Sequence, residues 1–347
     1  MWIRHAVALV ALLGALSSAR AEEFRIEDVG SPPNWDVAAL KPGTIAFSDG
    51  AVSASGAANL TAFTEWGRTL PAQKKFLSLY PAYSEPTITK AASTDTPAGP
   101  VLEKLEMYVA QARFILNRAP GSFNLSRYVS LPFLEKIDPA IKHKLIAATD
   151  ISPLTDPQGT GNVNPDRKWC TGRNPLICIE STYKLEGKIP LGVMLVNKLR
   201  DTPKKVSDRI DFVSELSLLP PEAIDQAGLK ELTGLDTPVS GVLEQNLFYV
   251  NQILKFGKFF GVFQSHPSDA DKTVVTAFMA LAIKASVLDE RRGFENVPVL
   301  RNLVPAQVLM GKSSFNSGAS ISAGLPQYAR NEIRTIATIL ARDKAAQ

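Results

Sequence analysis

Few residues of this chain are spaced for chemistry. Gly311-Lys312-Ser313 reads as the end of a phosphate loop, but the first glycine of that pattern would stand at residue 306, where the chain has Ala306, so the match fails. Serine catalysis needs a hydroxyl beside a base, and no G-x-S-x-G string occurs. Of the three histidines, His5 lies in the first residues, His143 sits between Lys142 and Lys144, and His266 precedes Pro267. His143 reads as a solvent-facing residue of a basic helix face. His266 has Asp269 and Asp271 close by in sequence; a His–Asp couple is one reading and a plain loop histidine the other. No H-x-x-x-H spacing offers zinc two ligands. Asp156, Asn162, Asn164 and Asp166 are oxygen donors, but they miss the calcium-loop spacing and are the residues loops use anyway. Glu180, Glu186, Glu215 and Glu244 fall on or beside strand candidates. A carboxylate pair for glycoside cleavage has no local signature, and these four read as a solvated outer face. No catalytic motif, metal site or cofactor emerges.

Two patterns remain. Cys170 and Cys178 are the only cysteines, and they enclose Gly172, Asn174 and Pro175, turn residues that let the chain fold back. In an exported protein such a pair reads as a structural disulfide. The second pattern is Phe256, Gly257, Phe259, Phe260, Gly261 and Phe263. Glycines at alternate strand positions clear one face, and phenylalanines flank the cleared space. Either another element packs closely there or a hollow takes an apolar ligand.

The elements that position these residues read as follows. Residues 22–100 are rich in Pro, Ser, Gly, Ala and Thr; they read as an irregular wrap with one short strand at Thr44 to Phe47, ending in a linker at 91–100. In 101–118, Leu102, Leu105, Val109, Ala112 and Leu116 follow steps of three and four, which predicts a helix. A second helix is predicted over 133–148, followed by a long loop over 149–176. From Ile177 the period becomes two, giving a strand to Leu185, and a second strand runs through Ile210, Phe212 and Leu216. A short helix is read from Pro190 to Leu199, and another from Pro221 to about Gly234. Three strands follow in close succession, at 241–250, 256–264 and 273–288, and predict an antiparallel meander. Residues 296–312 read as one or two helical turns. After a small-residue loop, Pro326 opens a final helix whose stripe is Ala329, Ile333, Ile336 and Leu340.

This order of strand, short helix, strand, helix, meander and long amphipathic C-terminal helix resembles the helix-grip arrangement of START-like lipid-transfer domains, in which a sheet holds the last helix around an apolar cavity. The resemblance is topological and covers about half the chain. It implies binding of a lipid, sterol-like or aromatic molecule without chemistry. The expected fold class is therefore α+β, with an antiparallel sheet gripping a long C-terminal helix, preceded by a helical and irregular N-terminal region. The expected divisions are 1–21 signal peptide, 22–100 wrap and linker, 101–176 helical region and loop, and 177–347 sheet domain. The expected ligand surface is Phe256, Phe259, Phe260, Phe263, Ile333, Ile336 and Leu340.

Composition limits the alternatives. The chain has 347 residues, of which 45% are hydrophobic and 21% charged; this is ordinary globular usage and excludes a disordered or collagen-like protein. A formal charge of +4 is too mild to argue for nucleic acid. Met1 to His5 is a short basic start, Ala6 to Leu16 is an uncharged apolar run, and Ala19-Arg20-Ala21 supplies a small-x-small cleavage pattern. Together they read as a secretory signal peptide, placing the mature protein in the periplasm or outside the cell. The expected function is an exported, non-catalytic carrier of an apolar small molecule such as a lipid, with peripheral membrane contact compatible with it. The alternatives are a cell-envelope hydrolase with an unlocated active site and a structural or interaction protein of the envelope. N-terminal sequencing of the exported protein is expected to begin at Glu22; a start at Met1 would contradict the leader.

Overall fold

Branched and aromatic side chains dominate the segments that pair into the sheet, because they pack well on a pleated surface. The computed structural model describes residues 24–29, 37, 40–49, 91–93, 101–103, 105–147, 170, 175–184, 209–248, 254–284 and 319–343. In chain order the strands are β1 (Arg25–Asp28), β2 (Thr44–Asp49), β3 (Ala91–Ser93), β4 (Val101–Glu103), β5 (Leu105–Leu116), β6 (Ile141–Leu145), β7 (Leu176–Lys184), β8 (Arg209–Leu218), β9 (Val239–Phe248), β10 (Leu254–His266) and β11 (Asp269–Lys284). The helices are α1 (Leu131–Ile137), α2 (Gln226–Thr233) and α3 (Ala319–Arg342). One nine-stranded sheet runs β1-β2-β5-β11-β10-β9-β8-β7-β6, and β3 and β4 form a separate ladder. Every pairing in the large sheet is antiparallel except β1 with β2. The fold class is α+β. The sheet draws strands from the segments 22–100, 101–176 and 177–347 alike.

The predicted meander is present, and the run after residue 273 is a strand, not a buried helix. Two expectations are corrected. Residues 105–116 are a strand and not a helix. Ala110, Ala112, Phe114 and Leu116 point to one face and Val109, Gln111, Arg113 and Ile115 to the other, and all are buried. With both faces covered, apolar residues at odd and even positions together produced a spacing of three and four. Ladder bonds to β2 and β11 on either side decide the conformation. The predicted helix over 133–148 stops at Ile137. Pro139 follows, and proline neither donates to a helix nor fits inside one; Asp138 Oδ1 instead accepts from the Ala140 N–H at 3.0 Å, and the chain enters β6. The last helix begins at Ala319, ahead of Pro326. The segments 190–199 and 296–312 lie outside the described residues, as do Glu186, the oxygen donors at 156–166 and Gly311 to Ser313.

Alternation along the strands defines two faces. The inner face carries Ile45, Phe47, Phe114, Ile179, Phe212, Leu216, Leu243, Leu247, Phe263, Val275, Met279 and Leu281, which share one apolar cluster with Ala329, Ile333, Ala337 and Leu340 of α3. Helix α3 is fixed at its middle and at its C-terminal end. Arg330 pairs with Asp28 at 2.6 Å and Asp49 at 3.6 Å, and lies over the Phe47 ring at 4.4 Å. At the C-terminal end, Tyr128 Oη donates to Asp343 Oδ2 at 2.7 Å and the Arg118 guanidinium donates to the Asp343 carbonyl.

From β5 across to β8 the outer face is buried as well. Lys258 and Glu244, both nearly inaccessible, pair at 3.0 Å, and Ser217 donates to Glu244 at 3.4 Å. Asn246 and the Cys170 N–H donate to the two oxygens of Glu215 at 3.0 and 3.1 Å. The solvated outer face expected for Glu215 and Glu244 is therefore replaced by a buried, paired one; Glu180 is exposed. Cys170 and Cys178 stand at disulfide distance, with Cα atoms 5.8 Å apart. Part of the cover is α2, capped by Asp225, which accepts from the Gly228 N–H at 2.9 Å, and closed by Gly234 at φ +68°. Arg113 donates to the Thr233 carbonyl and to Thr276 at 3.2 Å, supplying a helix end with a partner.

Gly241 lies beneath Leu125, and an added Cβ would collide with Leu125 Cδ1. Gly241→Ala is expected to lower the unfolding free energy by about 1–3 kcal/mol through overpacking, whereas Gly261→Ala, with no contact closer than 3.8 Å, is expected to lose little. Urea unfolding of the two variants checks the contrast.

Candidate functional site

The phenylalanine strand is split by the pleat. Gly257, Phe259, Gly261 and Phe263 occupy inner-face positions of β10, cross-strand from Leu281, Met279, Ala277 and Val275 on one side and Leu247, Gln245, Leu243 and Gly241 on the other. Phe260 lies on the outer face, 5% exposed and stacked on Phe278 with ring centroids 4.7 Å apart. The expectation that Phe260 joins the inner lining is corrected: adjacent strand residues point to opposite faces. Phe256 is in register with Phe248 and Ala282, and its side chain lies outside the described part. The structure thus brings Phe259 and Phe263 to the same face of the sheet as Ile333, Ile336 and Leu340, with Ile333 and Leu340 in the core and Phe259 and Ile336 packed partly against it.

The glycines on this face differ. A Cβ on Gly257 would stand 2.9 Å from Leu281 Cδ2, so that position is occupied by a neighbour. At Gly261 the nearest atoms would be Phe263 Cε2 at 3.8 Å and Val275 Cγ1 at 3.9 Å, ordinary contact distances with room for a methyl. Phe123 closes over Phe263 at a centroid distance of 5.9 Å, and Phe133 packs on Tyr128 at 5.1 Å. One end of this surface is therefore aromatic.

The other end carries polar groups that the sequence did not connect. Tyr328 packs against the core cluster, and Glu332 follows one helical turn later on the same side of α3. Burial and the Asp138 carboxylate push the Glu332 carboxyl up to about 8. Burial, Glu332, Asp138 and Tyr183 push the Tyr328 phenol well above its ordinary value. His143 is half-buried on β6, not solvated on a helix, and its Nδ1 lies 2.9 Å from Ser181 Oγ on β7, its cross-strand partner. Burial lowers its pKa, against the opposing charges of Glu135 and Asp138. Ser181 and Lys184 have S-x-x-K spacing, but they lie on a strand, whereas that motif needs a helical turn to bring the two together. At the hairpin, His266 Nδ1 accepts from the Ser268 N–H at 3.3 Å while Asp269 pairs with Lys272 at 2.9 Å, so His266, the last residue of β10, braces the turn. Among the described residues no group of three or more His, Cys, Asp or Glu could hold a metal ion.

No protein-family model matches the chain, and no curated protein matches its sequence. Solved structures show a loose likeness. The crystal structure of Ara h 8.0201 is 9% identical, with 68% of this chain and 99% of that one covered at a TM-score of 0.30. The Zhui aromatase/cyclase from a Streptomyces species is 9% identical, with 70% and 98% covered at 0.33. Norcoclaurine synthase from Thalictrum flavum, solved with dopamine and hydroxybenzaldehyde, is 10% identical, with 60% and 91% covered at 0.27.

Glu332 gives this end a measurable signature. A free glutamate loses its proton near 4.5, and Glu332 holds its proton to about 8. Between those values the unfolded chain binds fewer protons than the folded one, so this group lowers stability as pH rises through that window. Glu332→Gln is expected to match wild type near pH 4.5 and to become the more stable protein towards pH 8, as read by chemical unfolding at the two ends.

Proposed function

We propose that this protein is an exported, non-catalytic carrier that holds an apolar small molecule, such as a lipid, between the inner face of its sheet and α3, in the manner of a helix-grip fold. The observation that carries the reading is the room at Gly261, on a face lined by Phe259, Phe263 and Val275 and shared with the Ile333–Ile336–Leu340 stripe. A surface with space beside aromatic and branched side chains favours apolar contact. The tripartite N-terminus supports export.

A hydrolytic reading has one contact in its favour, His143 Nδ1 to Ser181 Oγ at 2.9 Å. Ser181 is wholly buried, however, and a nucleophile must reach its substrate. The contact is better read as a cross-strand hydrogen bond that satisfies a buried hydroxyl.

The test is Gly261→Leu, with thermal melting and titration of an apolar fluorescent probe on both proteins. The carrier reading expects probe binding by wild type, and a variant of nearly unchanged stability that takes up less probe. A stability loss of about 1–3 kcal/mol or more, with no probe binding by wild type, would show a filled core and overturn it.

A further inference from the structure

We propose that the Cys170–Cys178 link is a redox-sensitive latch on the outer face of the sheet. Oxidised, it holds a backbone donor against the buried Glu215 carboxylate; reduction by an external dithiol withdraws that donor and opens the face to water at this point. The latch lies on the side opposite the candidate ligand surface and does not depend on the carrier reading.

Register puts the parts in one row. Cys178 of β7 stands across from Glu215 of β8, and Glu215 across from Asn246 of β9, so the three side chains share the outer face. Cys178 and Glu215 are both buried. Each oxygen of Glu215 has a donor: Asn246 Nδ2 reaches Oε1 at 3.0 Å, and the Cys170 N–H reaches Oε2 at 3.1 Å. Hydrogen bonds to a buried carboxylate are of the strong kind, and withdrawing one leaves the charge less compensated. Cys170 belongs to no helix or strand. Among the described residues its ties to the sheet are this hydrogen bond and the bridge to Cys178, with the Cα atoms 5.8 Å apart.

Two asymmetries between the cysteines make the link a latch and not an inert staple. Cys170 has φ +58°, in the left-handed region that a residue with a Cβ holds only where its surroundings impose it. Cutting the bond lets this backbone relax, which turns the N–H away from Glu215. Cys178 stays in place, because it lies in the β7–β8 ladder and its carbonyl accepts from the Ile146 N–H at 2.9 Å. Cys170 is also the more accessible of the two, half-buried where Cys178 is buried. A thiolate of the dithiol therefore attacks Cys170 Sγ and forms a mixed disulfide, while Cys178 Sγ leaves with the electron pair of the broken S–S bond and takes up a proton. The second thiol of the reductant then displaces Cys170 as a thiol and closes the reductant's own disulfide. The protein gains two electrons and two protons, and the dithiol loses them.

The experiment uses the full chain purified without reductant, with dithiothreitol as the dithiol. In the absence of denaturant, dithiothreitol is expected to cut the bond, and iodoacetamide with peptide mass spectrometry is expected to find Cys170 modified ahead of Cys178. Amide hydrogen exchange at Glu215 and Asn246 is expected to quicken on reduction; unchanged exchange there would overturn the opening. Urea unfolding separates the latch from simple loop closure. Reduction is expected to lower the wild-type midpoint by about 1 M or more, and that of Glu215→Gln by about half as much, because the variant has no charge to leave uncompensated. Equal shifts in the two proteins would show loop closure alone and overturn the proposal. Two free thiols before reduction, or a bond that dithiothreitol cuts only in urea, would overturn it as well, and neither of these readings needs a variant.

Discussion

The position of α3 on the inner face is the constraint on which the candidate site depends. The apolar stripe of α3 alone would allow the helix to slide or roll across a wide sheet, because hydrophobic contact is not directional. Charged contacts at its middle and at its C-terminal end remove that freedom. Arg330 is gripped by Asp28 and the buried Asp49, and its guanidinium lies on Phe47. Asp343 receives Tyr128 and Arg118. The groups that fix the helix thus come from β1, β2 and the turn after β5, while the surface it leaves open belongs to β10 and its neighbours. Fastening and candidate ligand surface are separate parts of one sheet.

The sheet is covered on both sides, and this shapes its energetics. From β5 across to β8, outer-face polar residues lie beyond the reach of water and must satisfy one another. Glu244 and Lys258 do so as a pair, Glu215 through Asn246 and the Cys170 backbone, and Arg113 through Thr276 and the end of α2. Removing one member of such a pair leaves a buried charge uncompensated, which costs more than the pair itself contributes. The outer face is therefore expected to tolerate little single substitution, and the Cys170–Cys178 link gains a role beyond loop closure, since it holds the backbone group that completes Glu215.

The inner face divides into a ring-lined end and an acidic end. Phe123 and Phe263 close the first, while Glu332, Tyr328 and the α1 cap at Asp138 gather at the second.

The sequence by itself determined the local features: the meander from β9 to β11, the strands β7 and β8, the apolar stripe of α3, the short strand β2 and the cysteine pairing. Each is written in neighbouring residues, as alternation, a three-and-four step or a turn. Tertiary structure decided the rest. The segment of β5 reads as a helix because burial on both faces erases the contrast between wet and dry positions on which periodicity depends, and only hydrogen bonds to β2 and β11 make it a strand. Phe260 stands with Phe259 and Phe263 in sequence and apart from them in space, since the pleat sends neighbours to opposite faces. Glu332, Asp138 and His143 look like ordinary surface residues in the chain. Burial and the Asp138 charge alter the acidity of Glu332 and His143, and those are properties of groups that meet only after folding.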